Sequence, residues 1–375
     1  MRPRSVLVTG GAGFIGSHLV TALVERGHRV KVLDALDPQV HGRNGTPRLP
    51  EGVEMFRGDI VDDPLLERSL AGVEVVFHQA ASVGVGQSMY EPAAYTRVNS
   101  LGTAKLMEKV ASPGSKVEKV VVASSMSIYG EGKYVCASCG PAHPLPRSRE
   151  RMAGGQWEPA CPRCGEDLSP LPTDEEKPLG PTSVYAVTKR SQEETVLVMG
   201  SAYGIPCVAL RYFNVYGPGQ SLSNPYTGVA AIFASRILNG APPILFEDGA
   251  QSRDFVHVSD IVQANLLAME SPDADYQVLN VGTGRRTPLL ELVQWLLKQL
   301  NGNSDLRPHI AGTFREGDIR HCYADISRIR KTLGFEPRVT LEQGHHDLAE
   351  WARTQNPVDR TEQAFGELRS RGLVR

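Results

Sequence analysis

Along the first 130 residues, short apolar runs rich in β-branched side chains alternate with segments of helical periodicity. Strands that alternate with helices form a parallel sheet covered by helices on both faces. The pattern therefore predicts a doubly wound α/β fold. The predicted strands are Ser5–Val8, Arg29–Leu33, Glu54–Arg57, Val75–His78 and Lys119–Ser124, and the helices between them include Ile15–Arg26, Asp63–Leu70 and Asn99–Val110.

From about residue 131 to 180 this pattern is lost, and Pro, Gly, Arg and paired cysteines dominate. We predict no regular structure there and treat the segment as an insert. Residues 1–212, including the insert, are predicted to form the first domain, and 213–375 to form mainly a smaller α/β lobe. Further predicted elements are the helices Ser183–Tyr203, 259–270 and Arg360–Arg369, and the strands Val208–Phe213 and Gln277–Val281; about 254–283 is expected to return to the first domain.

Composition argues against several classes of function. The chain has 40 Lys and Arg against 42 Asp and Glu, a formal net charge of -2, so no basic face for nucleic acid is expected. Nothing at the start resembles a secretory signal, and there is no apolar run of about 18 residues that could span a membrane. A cytoplasmic location is expected.

A glycine-rich turn, Thr9–Gly16, joins the first predicted strand to the first helix. Its glycines allow a tight turn and a close approach to a pyrophosphate at the helix N-terminus. Asp34 ends the next strand, where a carboxylate accepts ribose hydroxyls of NAD and repels the 2′-phosphate of NADP. The sequence therefore predicts NAD. Asp59 is placed near the adenine edge, and a simple turn is the alternative role for either aspartate.

Tyr185 and Lys189 form a Tyr-x-x-x-Lys pair at the start of a predicted helix, and this spacing places both on one face. A free tyrosine, with a pKa of about 10, is a poor base at neutral pH. The lysine ammonium and a nicotinamide ring would favour the phenolate. Ser125 lies at the carboxyl end of the fifth strand, where it could bind the reacting oxygen. A serine-rich strand end without chemistry is the alternative.

Five segments occur in the order seen in the extended short-chain dehydrogenases, and the chain resembles their nucleotide-sugar epimerase/dehydratase family. The resemblance implies NAD as cofactor, a nucleotide-diphosphate sugar as substrate and a homodimer formed through the Tyr185 helix. The segments are Thr9–Gly16, His78–Ala81, Ser124–Gly130, Tyr185–Lys189 and Arg211–Asn214.

The resemblance also assigns residues to each ligand. Asn214, Arg253 and Arg315 would hold the diphosphate, because guanidinium groups match phosphate oxygens; the alternative for each arginine is a solvated surface charge. Asp318 would support the nucleoside ribose or Arg315. The full expected sets are Gly10, Gly13, Phe14, Ile15, Gly16, Asp34, Asp59, Ile60, Ala80, Asn99, Tyr185 and Lys189 for the cofactor, and Gln87, Ser88, Ser125, Asn214, Phe246, Arg253, Arg315 and Asp318 for the substrate.

One departure from the family motifs bears on the reaction. The family's 4,6-dehydratases resemble Ser-Thr-Asp-Glu-x-Tyr-Gly at the strand end, whereas this chain has Met126 and Ser127 at the acidic positions. Dehydration is therefore disfavoured and 4-epimerisation favoured, while net oxidation stays open. A non-catalytic NAD sensor is a rival from another class, but it would not need Ser125, Tyr185 and Lys189.

Two segments bear on the substrate within the family. Ser82–Tyr90 and Ser223–Gly228 most resemble those of bacterial enzymes that interconvert dTDP-L-rhamnose and dTDP-6-deoxy-L-talose. UDP-glucose and UDP-glucuronate 4-epimerases are the close alternatives, and an NDP-sugar dehydratase or reductase is a weaker one. We therefore expect dTDP-L-rhamnose and leave the base and sugar open.

The insert contains two Cys-x-x-Cys-Gly units, Cys136–Gly140 and Cys161–Gly165, whose cysteine pairs are separated by 21 residues. Four thiolates at this spacing suit a closed, tetrahedral structural Zn²⁺ site formed by Cys136, Cys139, Cys161 and Cys164. A redox disulfide pair or free thiols are the alternatives. Because the insert joins the Ser125 strand to the Tyr185 helix, it is expected beside the active site as a wall or lid. A zinc-knuckle nucleic-acid binder is disfavoured, because acidic residues interleave with its arginines.

Overall fold

A computed structural model describes residues 2–42, 49–300 and 305–374. The strands are β1 Ser5–Thr9, β2 Arg29–Asp34, β3 Glu54–Arg57, β4 Val75–His78, β5 Lys119–Ser125, β6 Lys133–Cys136, β7 Gly140–Ala142, β8 Ser169–Leu171, β9 Cys207–Tyr212, β10 Asn214–Tyr216, β11 Ile244–Leu245, β12 Ser252–Arg253, β13 Phe255–His257, β14 Val278–Val281, β15 Thr287–Pro288, β16 His309–Ile310 and β17 His321–Cys322. The α-helices are α1 Phe14–Glu25, α2 Pro38–His41, α3 Asp63–Leu70, α4 Val85–Ser88, α5 Pro92–Tyr95, α6 Gly102–Val110, α7 Arg149–Ala153, α8 Val184–Tyr203, α9 Val229–Leu238, α10 Val258–Glu270, α11 Leu289–Leu300, α12 Ser327–Leu333, α13 Leu341–Arg353 and α14 Thr361–Ser370. A π-helix spans Thr96–Leu101, and 3₁₀ turns span Met126–Tyr129 and Pro272–Ala274.

A seven-stranded sheet of order β14-β9-β5-β4-β1-β2-β3 forms the centre of the molecule, and its neighbouring strands are parallel. Successive residues of a strand face opposite sides of a sheet. In β1, Val6 and Val8 pack into a cluster with α1 and α10, whereas Leu7 packs into a second cluster with α3, α6 and α8. Burial on both faces explains the continuous apolar runs. The predicted Rossmann-type doubly wound fold is confirmed.

The predicted strands of this sheet agree with the observed ones to within a residue at each end. One helix differs from its prediction. The segment predicted as Asn99–Val110 begins as the π-helix Thr96–Leu101 and becomes α-helical only at Gly102. Within the described ranges, no helix combines the length and the apolar character needed to cross a bilayer.

A second group of helices builds a smaller lobe against the carboxyl edge of the sheet. Helices α9, α11 and α13 pack around one apolar cluster, together with β13. Short two- and three-stranded sheets, β10-β13, β11-β16 and β15-β12-β17, border this cluster. The C-terminal helix α14 then packs Leu368 and Phe365 against Phe246. The chain beyond α13 therefore packs between this lobe and the segment around Tyr90.

The insert is ordered, in contrast to the prediction of no regular structure. Strands β6, β7 and β8 form an antiparallel sheet of order β7-β6-β8, and α7 follows β7. Its buried apolar cluster consists only of Tyr134, Cys136, Ala142, Cys161 and Leu168. Strands of three or four residues that contain Pro, Gly and Lys lack a periodic apolar pattern, which is why the sequence did not reveal them.

Candidate active site

The turn between β1 and α1 has the geometry that its glycines require. Gly10 has a φ of +68°, and a Cβ placed on Gly16 would lie 2.1 Å from the Gly10 carbonyl oxygen. Gly13 precedes α1 without any side chain capping the helix, and the first turn holds no acidic residue. The N–H groups at the start of this helix are therefore available to an anion such as a pyrophosphate.

Asp34 lies at the end of β2, next to that turn. Its two oxygens accept hydrogen bonds from the backbone N–H groups of Ala12 at 3.0 Å and Leu36 at 2.9 Å, and His41 lies 3.6 Å away. Burial alone would raise the pKa of Asp34, but the hydrogen bonds from His41, Leu36 and Ala12 outweigh it and hold the pKa below its ordinary value. The group is therefore a fixed carboxylate at neutral pH, as a ribose acceptor must be.

Asp59 and Ile60 follow β3, on the predicted adenine side. The Asp59 carboxylate pairs with Arg97 at 2.5 Å and also accepts from the Val61 N–H at 3.2 Å. Ile60 is buried and packs directly on Gly102 at the start of α6. Asp59 thus joins the loop after β3 to the π-helix Thr96–Leu101, and contact with adenine stays a prediction for both Asp59 and Ile60.

Asn99 and Ala80 are both hydrogen-bonded to helix α8, Asn99 to Thr188 and the Ala80 carbonyl to Gln192. The Asn99 side chain accepts from the Ser82 N–H at 2.7 Å and donates to the Thr188 hydroxyl at 2.9 Å. Ala80 donates its N–H to the Thr9 hydroxyl at 3.3 Å. The π-helical turn places Asn99 between the loop after β4 and α8, and so brings the expected cofactor residues to one side of the sheet.

Ser125 and Tyr185 meet at the carboxyl edge of β5. The Ser125 hydroxyl is hydrogen-bonded to the phenol of Tyr185 and accepts a hydrogen bond from the Ser127 hydroxyl at 2.9 Å. Helix α8 begins immediately before Tyr185, where the Ser183 side chain accepts from the Ala186 N–H. The Tyr95 ring meets the Tyr185 ring edge-on, with centroids 6.4 Å apart. The side chains of Ser125 and Tyr185 are thus held next to each other at the carboxyl edge of β5.

Lys189 does not contact the phenol directly. Its ammonium donates to the Ala123 carbonyl and to Gln192 Oε1 at 2.7 Å. Burial lowers the pKa of Lys189 to about 7, and the nearby Glu193 carboxylate opposes this shift. Burial also raises the pKa of Tyr185, against the hydrogen bond from Ser125. Burial therefore acts against the lowering of the Tyr185 pKa that Lys189 and the nicotinamide ring were expected to cause, and that lowering stays a prediction.

A buried polar network under Lys189 was missed by the sequence reasoning. His78 contacts the hydroxyls of Thr9 and Thr103, each at 2.8 Å, and Gln192 at 3.1 Å. Burial, and secondarily the charge of Lys189, lowers the pKa of His78 to about 3, so this imidazole is neutral. The signal for Gln192 was present, because it lies three residues after Lys189 on the same helical face.

A buried ion pair between Glu193 and Arg211 connects the end of β5, which contains Ser124, to α8. Glu193 accepts from the Ser124 hydroxyl at 2.6 Å and pairs with Arg211 at 2.5 Å. Arg211 also donates to the Tyr129 hydroxyl at 2.8 Å. Ser124 and Arg211 come from the neighbouring strands β5 and β9, so the pair holds both strand ends against the helix. Ser125 and Tyr185 are thereby kept in register.

Three of the expected substrate residues come together in the smaller lobe. The Arg315 guanidinium forms a two-point contact with the Asp318 carboxylate, at 2.8 and 3.1 Å. It also lies over the Phe246 ring, 4.8 Å from the centroid. The Thr182 hydroxyl donates to the Gly317 carbonyl at 2.7 Å, so this segment adjoins the start of α8. An aromatic face beside a cation and an acid suits a nucleotide.

Arg253 and Asn214 differ in whether their polar side-chain atoms already have hydrogen-bond partners. The Arg253 guanidinium donates to the backbone carbonyls of Ser252, Ile319 and Arg320, at 2.8 to 3.0 Å. The Asn214 Oδ1 atom is buried without a hydrogen-bond partner among the described residues. Asn214 therefore has an unused acceptor, whereas Arg253 already binds backbone oxygens, and diphosphate contacts stay a prediction for both.

Gln87 is linked to Tyr185 through Tyr95, whereas Ser88 is not. Gln87 Oε1 accepts from the Tyr95 hydroxyl at 3.2 Å, and the Tyr95 ring contacts Tyr185. The Ser88 side chain is fully buried and donates to the Val85 carbonyl at 2.7 Å within its own turn. The structure thus places Gln87, but not the Ser88 hydroxyl, toward the expected sugar position.

The C-terminal segment contributes residues that no sequence pattern indicated. The hydroxyls of Tyr90 and Tyr226 lie 2.5 Å apart, and both lie within hydrogen-bond distance of Glu367 on α14, at 2.9 and 2.7 Å. Farther along, Val374 forms a β-bridge with Arg315. Tyr90 and Tyr226 belong to the two segments that bear on substrate choice, so α14 closes one side of the same site.

The four cysteines of the insert form one cluster, with sulfur atoms that all lie within 4.8 Å of one another. No disulfide joins them, and the Cys136 and Cys164 sulfurs are 3.4 Å apart. Four thiolates around a tetrahedral zinc would be separated by about 3.8 Å. Both glycines of the Cys-x-x-Cys-Gly units have a positive φ, +76° at Gly140 and +80° at Gly165. The donor set fits a zinc ion.

Known proteins with the same motifs were compared with this chain. The model of the NAD dependent epimerase/dehydratase family matches residues 6–148 and 162–282, and so omits 149–161 of the insert. A dTDP-L-rhamnose 4-epimerase from Burkholderia thailandensis is 35% identical over 352 residues, 93% of this chain and 94% of the relative.

Two solved structures have a similar fold. UDP-glucose 4-epimerase from Thermotoga maritima with UDP-glucose has a TM-score of 0.74 at 34% identity, covering 93% of this chain and 98% of its own. UDP-glucose 4-epimerase from Thermus thermophilus, in complex with NAD, has a TM-score of 0.74 at 32% identity, covering 94% and 100% of the two chains. The similarity therefore includes both the cofactor-binding sheet and the smaller lobe.

Proposed function

The chain belongs to the NAD dependent epimerase/dehydratase family, as its motifs predicted, and we propose that it is an NAD-dependent nucleotide-sugar 4-epimerase. The observation that carries this proposal is the hydrogen bond between Ser125 and Tyr185, one helical turn before Lys189, at the carboxyl edge of the sheet. The non-catalytic sensor is disfavoured because it would not require this arrangement.

In this proposal, Tyr185 acts as the phenolate that protonated Lys189 and bound nicotinamide would favour, and it accepts the proton of the sugar C4 hydroxyl, while Ser125 donates a hydrogen bond to the same oxygen. NAD, when bound, would supply an acceptor for the hydride of C4 and would return it. Lys189, when protonated, places a positive charge one helical turn from this phenolate, and burial strengthens their attraction because little water screens it. When the hydride returns, Tyr185 gives the proton back to the oxygen.

Inversion requires that the ketosugar turn over while its nucleotide stays bound. Arg315, with Phe246 beneath it and Asp318 beside it, would anchor the nucleotide end, and Arg253 and Asn214 would add contacts to the diphosphate. Because this anchor lies in the smaller lobe and the Ser125–Tyr185 pair lies on the sheet, the sugar can turn between them. The hydride then reaches the opposite face of C4.

Dehydration is disfavoured by the same segment. Met126 is buried and apolar, and the Ser127 hydroxyl donates to Ser125. Neither side chain can act as the carboxylic acid that elimination of water from the sugar would need. The oxidised sugar is therefore expected to accept the hydride again rather than lose a hydroxyl.

For the substrate we propose dTDP-L-rhamnose and dTDP-6-deoxy-L-talose, on the basis of the Burkholderia thailandensis relative and the segments around Tyr90 and Tyr226. UDP-glucose is the second candidate, because the similar solved structures are named for it. UDP-glucuronate is a third. All three are nucleoside-diphosphate sugars; dTDP differs from UDP in the methyl group of the base and in lacking the ribose 2′-hydroxyl, and the sugars differ in configuration and at C6.

The test is incubation of the purified enzyme with dTDP-L-rhamnose, UDP-glucose and UDP-glucuronate, followed by proton NMR. Inversion at C4 of one substrate without net NADH is the expected result. A stable ketosugar would replace the proposal with a dehydratase, and accumulating NADH would replace it with a dehydrogenase. Activity confined to UDP-glucose would retain the mechanism and change the substrate.

We also propose that Cys136, Cys139, Cys161 and Cys164 bind a structural zinc ion. The small apolar cluster of the insert supports this, because a segment with so little core needs another source of folding energy. Elemental analysis should find about one zinc per chain. The variant Cys161→Ser should lose it and Cys207→Ala, outside the cluster, should keep it. Metal-free wild-type protein with the same stability would contradict the proposal.

A homodimer through α8 is the third part of the proposal. Val187 and Val198 are 52% and 67% exposed on this helix, and Leu101 on the adjoining π-helix is 46% exposed. Exposed apolar side chains on neighbouring helices suit a protein interface. Light scattering should give twice the chain mass for the wild type and a monomer for Val187→Asp. A monomeric wild type would exclude the dimer.

A further inference from the structure

A cluster of buried charges joins the insert to the smaller lobe, and the proposed reaction uses none of them. The Arg147 side chain, from the insert, is only 2% exposed. Its guanidinium lies 2.8 Å from a Glu247 oxygen and 3.3 Å from a Glu131 oxygen. It also donates to the backbone carbonyl of Asp318 at 3.1 Å. One side chain thus connects three segments that are distant in sequence.

A second arginine completes the cluster from the side of the lobe. Arg320 is also 2% exposed and pairs with Glu247 at 2.9 Å, Asp248 at 2.6 Å and the insert residue Glu158 at 2.8 Å. Glu247 is therefore held between one arginine of the insert and one of the lobe. Buried charges of this kind keep their place only while their partners are present.

The residues held by Arg147 are next to those assigned to the nucleotide. Glu247 directly follows Phe246, is 1% exposed and has a φ of +56°. A non-glycine residue in this region is strained and persists only when its surroundings hold it. Asp318, whose carbonyl Arg147 binds, is the partner of Arg315. Displacement of Arg147 would therefore loosen both the aromatic face and the cationic group of the nucleotide site.

The cysteine cluster is connected to Arg147 by a short path. Arg147 donates to the Trp157 carbonyl at 3.0 Å, and Glu158 follows immediately. The Pro159 carbonyl accepts from the Leu168 N–H at 2.9 Å, and Ala160 bridges to Asp167, which closes a loop around Cys161. The part of this path from Trp157 to Cys161 lies in the stretch 149–161 that the family model does not match, whereas Arg147 lies in the matched part.

We propose that Arg147 is a positioning residue for the nucleoside diphosphate and that metal binding by the four cysteines sets nucleotide affinity through it. The inference rests on the proposed function, because it takes Phe246 and Arg315 as the nucleotide site. Arg147 contacts neither of their side chains in the described structure, so it acts through Glu247 and Asp318. The hydride and proton steps depend on Ser125 and Tyr185, outside the cluster.

The first experiment compares Arg147→Met with Arg151→Met. Arg151 is the matched control, because this insert arginine pairs with Asp167 and donates to the Glu158 carbonyl, both inside the insert. Calorimetry with dTDP and UDP as probes should show about tenfold weaker binding for Arg147→Met, a coupling of typical size. KM should rise by a similar factor while kcat, NAD affinity and zinc content stay close to those of the wild type. Arg151→Met should change nucleotide affinity less than about twofold.

The second experiment tests the link to the metal. Removal of zinc from the wild type with a chelator should weaken dTDP or UDP binding by about the same tenfold factor. Removal of zinc from Arg147→Met should weaken nucleotide binding little further, because the variant already lacks the connection between the cysteine cluster and the nucleotide site. Equal further loss in the variant would show two independent effects and would overturn the proposed coupling.

Four further outcomes separate the explanations. A lower kcat with unchanged nucleotide affinity in Arg147→Met would show that the residue does not act through nucleotide binding and would overturn the inference. Arg147→Lys keeps the positive charge but lacks the planar guanidinium with its paired N–H donors. It should therefore recover part of the nucleotide affinity. If Arg147→Met does not fold, Glu158→Gln, at a 32% exposed side chain, should weaken nucleotide binding in the same direction, and unchanged binding would overturn the inference. Wild-type protein that binds neither dTDP nor UDP would instead reject the proposed function.

Discussion

The seven-stranded sheet and the cysteine insert are stabilised in different ways. In the sheet, runs such as Val6–Val8 and Val120–Val122 are completely buried between helices. In the insert, five residues form the entire buried apolar cluster, and two of them are cysteines. The insert is joined to the smaller lobe by the buried side chains of Arg147 and Arg320. Apolar burial in the sheet is spread over many residues, whereas the insert depends on a few charges and sulfur atoms.

This difference separates two functions in space. The proposed reacting groups Ser125, Tyr185 and Lys189 lie on β5 and on α8, which packs against β5. The residues proposed for the nucleotide, Phe246 and Arg315, lie next to the charges that the insert supplies. Changes in the sheet site should therefore abolish chemistry or cofactor binding, and changes in the insert should alter nucleotide affinity while chemistry persists.

The largest effect is expected for Tyr185→Phe. Removal of the hydroxyl removes the group that exchanges the proton at C4, so kcat should fall about 10³-fold. NAD affinity, zinc content and nucleotide affinity should stay close to those of the wild type. Proton NMR of the sugar gives the rate. Undiminished turnover of the true substrate would leave the proposed chemistry without its proton acceptor.

The next effect concerns the cofactor turn. In Gly16→Ala the new Cβ would lie 2.1 Å from the Gly10 carbonyl oxygen, so the turn must shift by about 1 Å and NAD affinity should fall about 100-fold. NADH fluorescence titration measures the change. Gly366→Ala on α14 is the control, because its Cβ would meet no atom within 4 Å. Equal NADH binding by both variants would show that the turn does not hold the cofactor.

A third prediction concerns the proteolysis of the insert after its metal is removed. Because metal binding supplies folding energy that the small cluster lacks, a chelator should speed tryptic cleavage at Arg149, Arg151 or Arg163 about tenfold. Mass spectrometry of the fragments identifies the sites. The sheet should stay resistant and keep its affinity for NAD. Simultaneous cleavage of both regions would mean that they unfold as one unit.

The smallest effect is expected for the thermal stability that ionised Glu158 contributes, which should depend on pH in the acidic range. Burial alone would raise the pKa of Glu158, but His321 and Arg320 outweigh it and lower the pKa to about 2, from an ordinary value of 4.5. Stabilisation by ionised Glu158 is therefore complete above about pH 4.5 and is lost as the pH falls toward 2. Glu158→Gln should melt about 2 °C below the wild type at neutral pH, and this difference should shrink below about pH 4.5. A constant difference would contradict the depressed pKa.

The features that could be predicted from the sequence have local signatures. The strand ends of the sheet and the turn Thr9–Gly16 follow from apolar runs and glycines that are adjacent in the chain. The cysteine cluster followed from two spaced pairs. Tyr185 and Ser125 were placed together because parallel strands and the following helices share one edge.

The remaining features depend on pairs of residues that no local pattern joins. Glu247 meets Arg147 across 100 positions, and Lys189 bonds to Ala123 rather than to the phenol. The strands of the insert are too short and too polar to show periodicity. The direction of the shift in the Tyr185 pKa could not be inferred either, because burial is a property of the folded chain.

The π-helical turn Thr96–Leu101 makes the position of Asn99 depend on the number of residues in this segment. A π-helical turn holds one more residue than an α-helical turn. Deletion of a single codon there would restore the ordinary helix and rotate Asn99 by about 100° around its axis. Asn99 could then no longer bind Ser82 and Thr188 together. The hydrogen bonds that Asn99 makes to both segments therefore depend on the extra residue of the π-helical turn, and length changes in this turn should be poorly tolerated.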